Sequence, residues 1–514
     1  MTTSVAVGLS GDSGWILTAA TLVVAGLLLV PGWIVGRAAR LAALPSLAVA
    51  PALSSAIIAA AEILAHTLAL PWLPWGWAVI AGLTAVLALM ARLIVGAPPE
   101  RARRAASPGR AEWAILAAGL TVAVALPAGV ILSVLPSPGY PAQAFDATFH
   151  LNAVAAIREG GNASMLGGLS ALYSGRAVYY PTVWHGVVAL APGSPAPAST
   201  AGVLALTAVV WPLSLLGLFA RATGLDATRA SETDRVHRRQ RTCAVAAVLA
   251  LSAAVVGFPL LPMTALAVWP YALSVAGLPG VLVLYDQLRQ ETASWRLRLT
   301  LVLLTLASAG GVVAAHGTGL FNLAVLSPPF LVNLLVSRWR RCAARRGGRA
   351  LLVAGAVASV LVLVVGAWVM RASLASVLGY QRPAGGVGGI VATLGQALID
   401  LPMYGAVPGA SVPVGIVFGG LTLGAAWSAR AQRDQRPWLV MWLLSLLLVV
   451  LVGGPQWAGR QLGAPWYLQK ARILPLVILP AIVLMAQAGA GRPGRRLWGL
   501  LRRLASRLGG ARPQ

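Results

Sequence analysis

The stretch WILTAATLVVAGLLLVPGWIVGRAAR, residues 15–40, decides the fold. Residues 15–36 carry no charge, and Arg37 and Arg40 follow at once. A helix rises about 1.5 Å per residue, so a run of this length crosses a hydrocarbon core of about 30 Å. The two arginines mark the end that stays in the cytoplasm, where cationic loops are retained. An apolar run followed by a short basic cluster then recurs along the chain.

Thirteen runs are read as spans, at about 15–36, 42–70, 75–96, 112–135, 201–220, 242–257, 263–284, 299–315, 318–337, 350–370, 409–429, 438–453 and 471–489. Every basic cluster follows an odd-numbered span, as PPERARRAASPGR (98–110) and RWRRCAARRGGR (338–349) illustrate. An external N-terminus and a cytoplasmic C-terminus in the plasma membrane satisfy that pattern throughout. The expectation is an all-α polytopic membrane protein. Residues 1–135 form N-terminal transmembrane helices and 136–200 an external loop with interfacial helices. Residues 201–489 form a helical core with external loops 371–408 and 454–470, and 490–514 a basic cytoplasmic tail suited to anionic lipid.

Composition agrees. The chain is 58% hydrophobic and only 10% charged, with a mean hydropathy of +0.80. A soluble chain of 514 residues would expose far more charge, and a β-barrel would show short alternating segments. The net charge of +26 does not signal nucleic acid, because the arginines sit in loops between apolar runs. Cys243 and Cys342 lie beside basic loops, which argues against a disulfide. The N-terminus lacks the basic region of a signal peptide. No Walker motif, G-x-G-x-x-G or H-E-x-x-H occurs, so no nucleotide-driven step is expected.

Topology gives weight to the rare polar residues. Only 13 residues are Asp or Glu. Asp12, Asp146, Glu159 and Asp400 fall outside, as do His66, His150, His185 and His316 at or near that face. In FDATFHLNAVAAIREGG (145–161), Asp146 and His150 share a helix face. Asp146 fits either an N-cap or a general base, with His150 orienting it or binding phosphate. ALYSGRAVYYPTVWHGVVAL (171–190) gathers Arg176, Tyr179, Tyr180, Trp184 and His185. These fit an interfacial aromatic belt, or a site where rings stack on a sugar and arginine binds phosphate.

His316 in AAHGTGLFN (314–322) fits a plain turn or a corner of the same cavity. Arg460, Lys470 and Arg472 are external cations against the orientation rule, and Arg382 lies in GYQRPAGGVGG (379–389). They fit snorkelling or an anionic lipid phosphate. Glu62 and His66 stand one turn apart inside span two, as a proton-transfer pair or a structural one. The spacing of His66, His150, His185 and Asp146 carries no metal signature, so no cofactor is expected.

This layout resembles the GT-C superfamily of integral membrane glycosyltransferases. Asp146 in FDATFH matches the acidic residue near the start of their long first external loop, although more than one span precedes it here. The patterns FDATFH, YYPTVWH and WYLQKARILPL also resemble those of an uncharacterised actinobacterial family of multi-pass proteins, DUF6541-like. The superfamily resemblance implies a polyprenyl-phosphate sugar donor and a glycan or lipid acceptor. Asp146 would take the acceptor's proton, and Arg382, Arg460, Lys470 or Arg472 would stabilise the leaving phosphate. Membrane lipids are the expected surroundings. The rival expectations are a transporter or lipid flippase using Glu62 and His66, and a non-catalytic membrane scaffold.

Overall fold

A computed structural model describes residues 11–96, 109–226, 232–291, 294–342, 371–401 and 411–491, with scattered residues at 349–368, 403 and 494. Among the described residues there are helices and no strands, the one β-bridge joining Leu166 and Tyr179. The protein is a multi-pass membrane protein by composition and helix length. Ten helices are long and apolar enough to cross a bilayer, or twelve if two bent pairs each count as one span. The expected span 350–370 and the tail from 495 fall largely outside the described residues.

The helices are α1 (Gly11–Ala38), α2 (Ala43–Thr67), α3 (Trp72–Val95), α4 (Arg110–Val134), α5 (Phe145–Gly160) and α6 (Val183–Ala189). Then come α7 (Pro195–Thr223), α8 (Glu232–Ser252), α9 (Val256–Met263), α10 (Trp269–Gln290) and α11 (Trp295–Ala315). The remainder are α12 (Gly319–Leu326), α13 (Pro328–Cys342), α14 (Arg371–Leu378), α15 (Gly388–Ile399), α16 (Ser411–Ala429), α17 (Arg436–Gly453) and α18 (Lys470–Ala490).

The stretch GFPLLP, read as either a turn or a kink, opens α9 just after a break at which α8 and α9 meet at 53°. Prolines at 259 and 262 withhold two amide donors there. Asp400, distant in sequence, instead satisfies the free amides at the start of α9. Its Oδ1 accepts from Gly257 N at 2.9 Å and its Oδ2 from Val256 N at 2.5 Å. The second break, between α12 and α13, bends by 50° at Ser327 and Pro328.

Helix α2 is the central column, packed by α1, α7, α10 and α11. Lipid tails are as apolar as side chains, so helices associate through close backbone approach at small residues. Each neighbour presents a glycine to the alanine-rich face of α2. A Cβ at Gly311 would stand 1.9 Å from the Ala52 carbonyl oxygen, and one at Gly32 2.3 Å from that of Ala50. Gly217 and Gly280 meet the Leu44 and Ala48 carbonyls in the same way. Helix α18 is a second buried column, against α7, α8, α16 and α17. α10 and α18 start at the same end of the bundle, where the Tyr271 hydroxyl donates to the Arg472 carbonyl. That end carries the polar cluster.

Candidate functional site

Helix α5 is too polar to span, as the sequence suggests, and it packs beside α6 and α7. Gly161, at φ +65°, ends it in a left-handed cap. The Gly161 carbonyl then accepts from Trp72 N at 2.7 Å. Arg158 fastens α5 to the end of α6. Its guanidinium donates to the carbonyls of Val188 (3.2 Å), Ala189 (3.1 Å), Ala191 (2.7 Å) and Gly193 (2.5 Å). They lie at and just beyond the end of α6, where carbonyls lack intrahelical partners. The Trp72 indole donates to the Gly186 carbonyl on the other side of α6.

The cap residue of α5 is Ala144, and it makes no side-chain cap bond. Asp146 stands in the first turn and reaches outward instead. Its Oδ2 lies 3.6 Å from Arg472 Nη2, with the Asp146 side chain 38% exposed and that of Arg472 10%. Arg472, in the first turn of α18, is held in three ways. Its Nε donates to Gln469 Oε1 at 2.7 Å, and its guanidinium lies 4.7 Å from the Tyr467 ring and 5.7 Å from the Tyr271 ring. This pair joins residues 326 positions apart in sequence (472 − 146).

His150 points to the inner side of α5. Its Nδ1 lies 2.9 Å from His185 Nε2, and it also bonds the Ala267 carbonyl. Burial, with the nearby Arg472 cation, pushes the His150 imidazole down to about 3. His185 is held well below its ordinary value by burial and by His150. Both rings are therefore neutral near pH 7, so neither attracts phosphate by charge. His150 orients the wall behind Asp146. His316 accepts from Thr318 N at 3.1 Å and stands edge-on to Tyr271. Burial, Arg472 and His150 bring it down to about 3.

Aromatic rings complete the wall. Tyr180 stands 4.9 Å from Phe149 and 5.7 Å from His185, and Trp269 stands 5.3 Å from His150 and 5.9 Å from Trp184. Trp184 is wholly buried and its indole nitrogen lacks a partner, so it is not an interfacial belt residue. Behind Trp269, an apolar cavity of 160 Å³ runs between Ile131 and Val134 of α4, Leu151 of α5 and Met263 of α9.

These surroundings unite Asp146, His150, Tyr180, Trp184, His185, His316 and Arg472 from the sequence expectations. Others stand apart. Arg176 and Tyr179 are exposed, Tyr179 in the bridge to Leu166. Arg460 is a buried clamp rather than a free cation. It donates to the carbonyls of Val452, Arg382 and Pro383 and to Gln456 Oε1. Arg382 offers its carbonyl to that clamp, and its Nη1 has no partner. Lys470 lays its stem against Gly453, beside which Thr393 also packs.

The expected Glu62–His66 pair is not formed. Glu62 is buried and accepts from the Thr182 hydroxyl at 2.9 Å, whereas His66 is exposed. The i, i+4 spacing placed both near one face, but α6 covers only the first of them. Trp269, Tyr271, Tyr467, Gln469 and Arg158 were not anticipated. The only signal was rings beside prolines and cations, in VWPY (268–271) and WYLQK (466–470). Among the described residues, no three His, Cys, Asp or Glu side chains stand together to hold a metal ion.

The chain belongs to DUF6541, a family of unknown function, whose model matches residues 25–514. No curated protein and no solved structure matches it.

Proposed function

We propose that this DUF6541 member is a membrane glycosyltransferase. It moves a sugar from a polyprenyl-phosphate donor to a glycan or lipid acceptor of the cell envelope. The site faces outward in the plasma membrane, with the N-terminus external and the C-terminus cytoplasmic. The observation that carries this reading is the open Asp146–Arg472 pair under an aromatic wall. At 3.6 Å the contact is an ion pair without a direct hydrogen bond, so an incoming phosphate competes readily for the guanidinium.

The chemistry follows from that geometry. The donor phosphate takes Arg472 and frees the Asp146 carboxylate for the acceptor hydroxyl. The hydroxyl oxygen forms a bond to the anomeric carbon while the bond from that carbon to the phosphate oxygen breaks. The hydroxyl proton passes to Asp146, and the electron pair leaves on the lipid phosphate. Arg472 offsets the charge that grows there. Tyr180 and Tyr467 offer faces to the sugar, and the apolar cavity behind Trp269 accepts part of an isoprenoid chain.

The test is a membrane assay with a panel of labelled polyprenyl-phosphate sugars. Wild-type membranes should transfer at least one label. Asp146→Asn should lose that transfer while protein level and insertion persist. Transfer by Asp146→Asn near the wild-type rate would remove the carboxylate from the reaction. The flippase reading has lost its Glu62–His66 pair, and no observation favours it.

A further inference from the structure

A second cavity lies at the opposite end of the bundle. Helices α10 and α18 start at the Asp146 site and end here, so about 30 Å separates the two at 1.5 Å per residue. The cavity measures 460 Å³, and Arg221, Asp286, Arg289, Asp434, Trp438 and Gln487 line it. Together with Asp226, this region holds three of the chain's 13 acids. They come from the ends of α7 and α10 and from the turn before α17.

The ionic groups leave vacancies of one kind. Arg221 is bracketed by Asp226 at 3.3 Å and Asp286 at 2.7 Å, and Arg289 by Asp286 at 2.9 Å and Asp434 at 3.1 Å. Asp286 is saturated, since Gln290 donates to it as well. Asp434 receives only at Oδ1, and its side chain is 84% exposed. Gln487 is 8% exposed; its Nε2 donates to the Ala222 carbonyl, and its Oε1 is buried without a partner. The open valences are thus acceptors: the buried Gln487 Oε1 and Asp226 Oδ1, and the exposed Asp434 Oδ2. Trp438, one turn after Asp434, adds an aromatic face. A buried acceptor without a donor costs about 1–3 kcal/mol, and aromatic faces attract cations.

We propose that this cavity binds an alkylammonium group, supplied by an aminophospholipid headgroup or by a free polyamine. The N–H groups complete Gln487 Oε1 and Asp434, and Trp438 covers the methylene beside the charge. The requirement for N–H predicts that ethanolamine is taken and choline is refused.

The experiment uses the full chain in detergent, titrated calorimetrically with spermidine, glycerophosphoethanolamine and glycerophosphocholine. In parallel, native mass spectrometry counts phosphatidylethanolamine and phosphatidylcholine retained from mixed nanodiscs. At least one N–H probe should bind tenfold or more tightly than its choline counterpart. Asp434→Asn and Gln487→Leu should each weaken it fivefold or more, with melting curves checking that both variants fold. Selective retention of phosphatidylethanolamine with no spermidine binding assigns the lipid; spermidine binding without lipid preference assigns the free amine. Equal binding of choline probes, no binding of any N–H probe, or binding unchanged in both variants overturns the proposal.

Discussion

The two ends of the bundle handle charge in opposite ways. At the Asp226–Asp286 end, five ionic side chains form one string in which each guanidinium touches two carboxylates. At the Asp146 end, one carboxylate faces one guanidinium across 3.6 Å. Nearby, the buried Trp184 indole nitrogen has no partner. The first arrangement resembles a structural lattice with a small vacancy. The second leaves a single pair whose carboxylate is 38% exposed, open on one side to a competing ligand.

Substitutions sharpen that contrast. The largest effect belongs to Asp146→Asn, with sugar transfer reduced about 10²–10⁴-fold, the range of a general base, and melting little changed. Asp286→Asn breaks two ion pairs and should lower stability by about 1–3 kcal/mol in detergent unfolding. If Asp146→Asn destabilised the fold as much, the open pair would be structural too. Arg472→Ala should lower transfer by about 10²-fold, the worth of a donor to developing charge. Arg472→Lys should recover only part, because a point charge cannot reproduce the planar fork between Tyr467 and Tyr271. Full recovery by lysine would reduce the role of Arg472 to charge alone.

Much of this was legible in the sequence. Apolar run lengths gave the spans, since crossing a bilayer imposes a length that packing cannot override. The interfacial helix was readable from the polarity of FDATFH and the REGG that ends it. Asp146 and Arg472 were each visible as charges out of place. Their pairing was not, because nothing local in sequence says that α18 starts beside α5. The same gap misassigned Arg460. A lone external arginine reads as an anion site, but here four donor contacts go to the 382–383 loop, Val452 and Gln456. Periodicity paired Glu62 with His66, yet burial separates neighbours on one helix when a second element covers one of them.

Arg158 tests whether the open end depends on a closed scaffold. It serves four carbonyls around the end of α6, and α6 carries His185. Arg158→Ala should lower stability by about 2–4 kcal/mol, since bonds from a charged donor contribute more than neutral ones. It should also reduce transfer by loosening the wall behind Asp146. A stable Arg158→Ala protein would show that α6 is fixed by its other contacts, those of Trp72, Glu62 and His150.

The pH dependence of stability separates buried histidines from buried acid. His150 and His316 sit at about 3, against about 6.5 in an unfolded chain. Between those values the unfolded chain binds protons that the folded one refuses. Stability from these rings is therefore complete above about 6.5 and declines as pH falls towards 3, by up to about 1.4 kcal/mol per unit for each ring. Asp400 works in the other direction. Burial raises it to about 7 despite its two backbone donors, so its contribution is present below about 4 and declines as pH rises through 7. The two slopes oppose between about 4 and 6.5. Asp400→Asn should therefore steepen the acid-side loss, and His316→Gln should flatten it, when unfolding midpoints are followed from pH 4 to 7. Parallel curves for wild type and both variants would mean that water already reaches these groups. The wall behind Asp146 would then be wetter than its packing implies.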